Sequence, residues 1–358
     1  MIEAEPAAAA ARNLERPASP RQGRVPASMR LREALLRTMA FYWDAPVELA
    51  RLMQRVGMKR AAMRFLSLAY DANAWDAALG EILCDAAFEL GEAEHAPGSE
   101  ERAAFIMRVL ARSYPSERVV EAYFVNLDAI MRGKERQSEP GLLVLGMGVG
   151  RVGSTTLAGI MQSNPRAIAT HELPPRVWRV PHPRQVEFHK RRFRLLLPHA
   201  PLVFDGAPWW VHLADEFFAE FPSSKAIGLY RDVEATVNSL NQLSPPFETG
   251  EVRMHNGVWL ANSWSPILNG YAVPDGARKD RDGARRSLYR RRIIDYKERM
   301  DALAARHPGR VLLLRTEELD EAATRTKIAD FTGVPVTTSH IRLNAGNAND
   351  SLYHAVWL

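Results

Sequence analysis

The stretch Leu143-Val-Leu-Gly-Met-Gly-Val-Gly-Arg-Val-Gly-Ser-Thr-Thr-Leu157 decides how the chain is read. The apolar residues from Leu142 to Leu145 suit a buried strand, and Thr155 to Gln162 suits a helix. Between them, Gly146, Gly148, Gly150 and Gly153 permit positive φ angles and close backbone approach. A strand that runs through such a loop into a helix offers backbone amides and a helix N-terminus to an anion. Ser154, Thr155 and Thr156 add hydroxyl donors in the first turn. Gly148 and Gly153 stand at the GxxxxG spacing of a nucleoside-triphosphate loop. Where such a loop carries lysine, however, this chain has Ser154, and no lysine occurs between Lys134 and Lys190. The cation of this loop is Arg151. An NTPase loop sets its lysine on the β and γ phosphates beside Mg²⁺, so the pattern here favours a different nucleotide.

Outward from the loop, Leu202 to Phe204, Ala226 to Tyr230 and Val311 to Leu314 are similar short apolar runs. Helical stretches lie between and after them: Ala214 to Glu220, Glu234 to Leu240 and Arg290 to Ala305. Buried strands alternating with helices predict an α/β fold, P-loop-like and three-layered, around a mainly parallel sheet. Upstream the period is helical. Leu31, Leu35, Met39 and Tyr42 fall at helix spacing, as do Ile106, Val109 and Leu110, then Val120, Phe124, Leu127 and Met131. Ala77 to Glu94 predicts a further helix. Ser116 is placed to cap the helix that follows it, and Gly133 to close it. The polar segment Gly133 to Pro140 breaks the pattern. The expected organisation is a flexible tail over 1–28, an all-α helical N-terminal domain over 29–135, and the α/β domain over 141–358.

The second informative stretch is Phe221-Pro-Ser-Ser-Lys-Ala-Ile-Gly-Leu-Tyr-Arg-Asp-Val-Glu-Ala-Thr-Val-Asn-Ser239. A strand ends at Arg231, and the next helix carries Ser239. An arginine at a strand's carboxyl end faces the ligand crevice of an open α/β sheet and binds phosphate bidentately. Together the two stretches resemble the sulfotransferase superfamily. Its first signature is a strand-loop-helix with [R/K]-x-G-[S/T]-[S/T]; its second is a strand-end Arg followed by a helix Ser. The resemblance is nearest in motif style to tyrosyl-protein and bacterial sulfotransferases, and it covers roughly Leu142 to the C-terminus. Fainter echoes lie in Val311 to Leu319 and in Ile328 to Pro335.

The resemblance implies a co-substrate, 3′-phosphoadenosine 5′-phosphosulfate (PAPS), and no metal. It assigns Arg151, Gly153, Ser154, Thr155 and Thr156 to the 5′-phosphosulfate end, and Arg231 and Ser239 to the 3′-phosphate. It implies in-line sulfuryl transfer with a base near the loop. Glu172, at the end of a short second strand, is the expected base, with His171 in reserve and Arg176 as a nearby cation for the sulfonate or acceptor. Arg151 is the remaining cation for the leaving oxygen. The family's catalytic lysine follows a strand matching Leu202 to Phe204, which the resemblance makes the central one, yet Asp205-Gly206-Ala207-Pro208 holds no lysine. Asp205 also reads as a Mg²⁺-binding acid, which would favour a P-loop kinase or NTPase. A non-catalytic nucleotide-binding scaffold is the third reading.

Trp209 and Trp210, and Trp259, Trp264, Tyr271, His255 and Asn256 within Pro245 to Tyr271, are candidates to frame an acceptor pocket. Trp209 and His255 head that set, with ordinary core packing as the alternative. Arg278 to Arg292 is a basic run, suited either to an acidic peptide or glycan or to a solvated helix start. The acceptor itself is unread: a small molecule, a glycan or a peptide.

Composition sets the bounds. At 46% hydrophobic and 25% charged, the chain is globular rather than disordered or collagen-like. Seven of the 47 basic residues are Lys and the rest Arg, which favours bidentate contacts to phosphate or carboxylate. A net charge of +5 gives no reason to expect a nucleic-acid partner. Apolar runs far short of a bilayer span give none to expect a membrane. Cys84, the single cysteine, precludes an intrachain disulfide and a Cys-rich zinc site. The N-terminus carries Glu3 and Glu5 and a short alanine run, unlike a secretory signal, and cytoplasm is the expected compartment.

Overall fold

The computed structural model describes residues 46–58, 61–62, 65, 84–89, 96–110, 116–173, 183–243, 253–255, 258–260 and 280–336. The expected tail, the helix over Leu31 to Tyr42, and Arg176, Trp264 and Tyr271 lie outside them. So does most of Ala77 to Glu94, of which residues 84–89 are helical.

Ahead of the sheet, the described residues include the helices α1 (Pro46–Arg55), α2 (Glu100–Leu110) and α3 (Glu117–Arg132). Ser116 caps α3, its Oγ accepting from the Val119 amide at 3.2 Å, while the same hydroxyl donates to Asp85 at 2.5 Å. Gly133 ends α3 at φ −80°, right-handed rather than in the left-handed stop that glycine often provides.

The apolar runs become strands β1 (Leu142–Met147), β2 (Ile168–His171), β3 (Leu202–Gly206) and β4 (Lys225–Tyr230). The intervening helices are α4 (Ser154–Gln162), α5 (Pro183–Leu196), α6 (Trp210–Glu220) and α7 (Val233–Leu243). Two short antiparallel strands follow, β5 (Arg253–His255) and β6 (Val258–Leu260), in a stretch whose sequence shows little alternation. The long helix α8 (Arg281–Arg306), strand β7 (Val311–Arg315) and helix α9 (Ala322–Thr332) complete the described chain.

The main sheet has the order β2-β3-β1-β4-β7, and every pair in it is parallel. The central strand is therefore β1, with β3 beside it, rather than the Leu202 run that the resemblance put at the centre. The chain leaves β1 towards β2 and later crosses back from β3 to β4. Right-handed crossovers consequently place α4 on one face and α5, α6 and α8 on the other, the expected three layers. Phe193 of α5 meets Trp210 of α6 at 5.8 Å between ring centroids, as shared placement on one face requires. The helical region joins the same core. Tyr123 and Phe124 of α3 each lie 5.0 Å from the Phe188 ring of α5. Among the described residues, no helix is long and apolar enough to cross a membrane.

Register aligns the carboxyl ends of the strands. Gly146 of β1 pairs with Gly206 of β3, which pairs with His171 of β2. Glycine is required at Gly146 because a Cβ there would sit 2.4 Å from the Phe204 ring. On the other side, Met147 pairs with Gly228, so the loop after β1 opens beside the end of β4.

Candidate functional site

The loop between β1 and α4 is held in an unusual backbone path. Gly150 and Gly153 have φ +91° and +83°, and Arg151 between them has φ +59°. Arg151 and Glu172 (φ +52°) are the only non-glycine residues with positive φ among those described. Left-handed side-chain-bearing residues cost free energy and persist where surrounding structure imposes them, commonly at functional sites. Both strained positions here are ones singled out from the sequence.

Gly153 is the N-cap of α4 and supplies no side-chain cap. The amides of the first helical turn have no intrahelical acceptor, so an anion is the natural partner for this end. Ser154 is the first helical residue and is buried; Thr155 and Thr156 are half-buried in the same turn. Gly148 has a different task. A Cβ there would lie 2.5 Å from Val152 Cγ2, so its lack of a side chain lets the buried Val152 fold back over β1's end.

The second stretch meets the first. Arg231 follows the last residue of β4, and Ser239 lies along α7. Arg151 Nε donates to Ser239 Oγ at 3.1 Å. Arg231 is close enough to act on Arg151: burial, then the Arg231 charge, lowers the Arg151 guanidinium from its ordinary value. The side-chain partner of Arg151 is thus a neutral hydroxyl, and its charged neighbour is a second cation. Among the described residues, Arg231 reaches only a distant carboxylate, Glu317 at 3.7 Å, and both groups are substantially exposed. Asp232 does not pair with Arg231 but caps α7, accepting from the Ala235 amide at 2.8 Å. Two cations and two motifs converge at the carboxyl ends of the neighbouring strands β1 and β4, where open α/β sheets bind ligands.

His171 and Glu172 end β2. Ser154 Oγ lies 2.8 Å from His171 Nε2, and the buried Glu172 is anchored by its amide to Gly206 O at 2.8 Å. Helix α8 adds groups the sequence did not single out. Arg292 and Tyr296 sit one turn apart and both are buried. Burial pushes the Tyr296 hydroxyl far above its ordinary range; the Gly148 amide and Arg292 oppose that rise, and Glu172 reinforces it. Those couplings gather Glu172, Arg292 and Tyr296 around the start of the loop. Arg292 was read as part of a basic run. Within that run, Arg285 is met by Asp282 at 2.6 Å and Arg290 by Glu234 at 2.6 Å, and Arg286 donates to the Asn238 amide oxygen at 2.7 Å.

Thr316 is a further residue that no sequence pattern singled out. Its hydroxyl lies 2.7 Å from Val152 O and 3.2 Å from Tyr230 O, so it ties the loop to the end of β4. Its methyl, with Leu319, also closes on Gly153, where a Cβ would be 3.1–3.2 Å from Leu319 Cδ1 and Thr316 Cγ2.

Asp205 occupies neither the loop nor a metal-ligand position. It is fully buried, accepts from Trp210 Nε1 at 2.9 Å and from the Thr170 hydroxyl, and faces Arg192 Nη2 at 3.8 Å. Burial raises its carboxyl above the ordinary range, opposed by Arg192, Thr170, Trp210 and the Leu173 amide. Its oxygens are committed to the protein, which removes the Mg²⁺ role considered from sequence. Trp209 is buried, its ring 6.2 Å from His189 and 6.0 Å from Trp210, so it packs inside rather than lining an open wall. His255 ends β5 opposite Val258. Arg176 lies outside the described residues.

No family model matches the chain, and no curated protein matches its sequence. Among solved structures, it is similar to the sulfotransferase domain from the curacin biosynthetic pathway. That likeness has 16% identity and a TM-score of 0.40, over 62% of this chain and 84% of that one. It is also similar to the sulfotransferase domain from the Synechococcus PCC 7002 olefin synthase, at 16% identity and a TM-score of 0.34, over 61% of this chain and 83% of that one. The fold assignment rests on the order and register of the sheet itself: a five-stranded all-parallel α/β fold with its polar loop at the carboxyl end of the central strand.

Proposed function

We propose that this chain is a sulfotransferase that moves a sulfuryl group from PAPS to a hydroxyl or amine acceptor. The observation that carries this reading is the contact between Arg151 and Ser239 at 3.1 Å with Arg231 beside it. It joins the two stretches that the resemblance assigns to opposite ends of one doubly phosphorylated nucleotide. Two arginines held together with no carboxylate nearer than 3.7 Å among the described residues form a site that gains from binding an anion, and the uncapped α4 terminus gives the same preference.

In the proposed reaction, an acceptor oxygen or nitrogen attacks sulfur in line. The bond from sulfur to the bridging phosphate oxygen breaks, and its electron pair leaves on that oxygen as adenosine 3′,5′-bisphosphate. The acceptor proton passes to Glu172 or His171. Arg151 and the α4 amides stabilise charge on the sulfonate and the leaving oxygen. Arg231 and Ser239 hold the 3′-phosphate, fixing the donor along the β1–β4 crevice. The kinase or NTPase alternative lacks the loop lysine, and the Asp205 considered for its Mg²⁺ is bound up internally.

Calorimetry with adenosine 3′,5′-bisphosphate against 5′-AMP tests the binding half. Tighter binding of the bisphosphate is expected; equal binding removes the role of Arg231 and Ser239. Incubation with PAPS and a panel of phenol, peptide, sugar and lipid acceptors tests turnover. Product that disappears in Glu172→Gln separates an enzyme from a nucleotide-binding scaffold.

A further inference from the structure

A serine hydroxyl carries one proton, and an anionic oxygen can only accept. Ser154 therefore grips a phosphate or sulfonate only if its proton points at that group. Yet Ser154 Oγ already shares a hydrogen bond with His171 Nε2, at 2.8 Å. If Nε2 were bare, it would take the serine proton, and Oγ would turn its lone pairs towards the anion. Only one arrangement satisfies both partners: Nε2 carries a hydrogen and donates to Oγ, and Oγ donates onward to the anion.

From this constraint we infer that His171 is a positioning residue, whose Nε2–H sets the Ser154 hydroxyl to donate to the 5′-phosphosulfate end of the co-substrate. The inference rests on the reading of the site as a PAPS crevice. It also weighs on the two candidate bases: an Nε2 that donates to Ser154 cannot itself accept the acceptor's proton, which favours Glu172. The pair is built by regular structure, not by a loose loop. Ser154 opens α4, and His171 is the last residue of β2, in register with Gly206. At Gly206 a Cβ would meet the Phe204 ring at 3.1 Å and would lie 3.4 Å from His171 Cδ2, so the imidazole packs directly beside this position.

A double-mutant cycle read by calorimetry tests the inference, with 3′-AMP as the ligand that lacks the 5′-phosphate. His171→Ala should weaken adenosine 3′,5′-bisphosphate about tenfold. It should leave 3′-AMP unchanged, which also shows that the variant is folded. In a Ser154→Ala background, His171→Ala should cost less than about twofold more. His171→Gln, which keeps an N–H donor, should recover most of the bisphosphate affinity and still turn over at saturating PAPS, while Glu172→Gln should not. Undiminished bisphosphate affinity in His171→Ala overturns the inference. So does a loss that persists in full on Ser154→Ala, or a His171→Gln variant that binds normally but is inactive. Wild-type protein that binds neither nucleotide overturns the nucleotide reading and this inference together.

Discussion

Two charged clusters sit at the carboxyl ends of adjacent strands, and they behave oppositely. At the end of β3, Asp205 is enclosed by Thr170, Trp210 and Arg192, all buried, so that cluster closes on itself. At the ends of β1 and β4, Arg151 and Arg231 share a neighbourhood with a serine hydroxyl and a distant, exposed carboxylate. In the first cluster the Asp205 oxygens accept from Thr170 and Trp210, while Arg192 faces Asp205 at 3.8 Å with no hydrogen-bond partner among the described residues. The second holds two cations side by side next to a strained backbone, with Glu317 at 3.7 Å from Arg231 as the carboxylate partner among the described residues. A charge at a strand end is therefore not by itself a site; what matters is whether its partners are already inside the protein.

The largest test of this contrast is Asp205→Ala. It leaves the Arg192 guanidinium buried and uncompensated, so a loss of about 3–5 kcal/mol in urea unfolding is expected. Replacing both partners, as Asp205→Leu with Arg192→Met, should recover part of that loss, because both buried charges are gone while Trp210 Nε1 is left without its acceptor. Folded Asp205→Ala protein should still bind adenosine 3′,5′-bisphosphate; a variant that stays stable but loses the nucleotide would reverse the roles of the two clusters.

Arg231→Ala should do the opposite. Bisphosphate affinity should fall by about 1.5–3 kcal/mol, the range for a hydrogen bond to a charged group. Thermal stability should scarcely change, since an exposed ion pair contributes about 0–1 kcal/mol. An equal loss for 5′-AMP would mean that Arg231 is not a 3′-phosphate ligand. Arg151→Gly should separate the two effects within one residue. Relief of the φ +59° backbone should raise stability by about 1 kcal/mol while nucleotide binding weakens. A variant that gains no stability would show that the loop stores no strain at this position.

The sheet was legible in the sequence because a buried parallel strand needs an unbroken apolar run, and Leu142, Leu202, Ala226 and Val311 each begin or lie within one. The loop was legible because glycines at fixed spacing before hydroxyl residues serve few other purposes. That the two motifs belong together was readable from their pairing, but the direct contact of Arg151 with Ser239 was not, since the resemblance assigns them to opposite ends of the nucleotide. Inward-facing cations were hidden. Arg192 lies in the run His189-Lys-Arg-Arg-Phe-Arg194 and Arg292 in Arg290-Arg-Arg292, where composition suggests a solvated face. Helical geometry turns one arginine of each run into the protein. Asp205 was open to misreading for the same reason: its partners Thr170 and Arg192 come from other elements and become visible only when the chain has folded.

The smallest expected effect probes how the two motifs are held in register with each other. The Thr316 hydroxyl bridges the carbonyl of Val152, inside the first motif, and that of Tyr230, just before Arg231. Thr316→Val keeps the methyl that packs on Gly153 and removes only the hydroxyl. A stability loss of about 0.5–1 kcal/mol is expected, the worth of a net hydrogen bond. If Thr316 fixes the separation of Arg151 and Arg231, the bisphosphate should lose affinity while 5′-AMP and 3′-AMP, each held at one end, do not. A loss shared by all three nucleotides would make Thr316 a general support of the loop, and the spacing of the two arginines would then be set by the sheet alone.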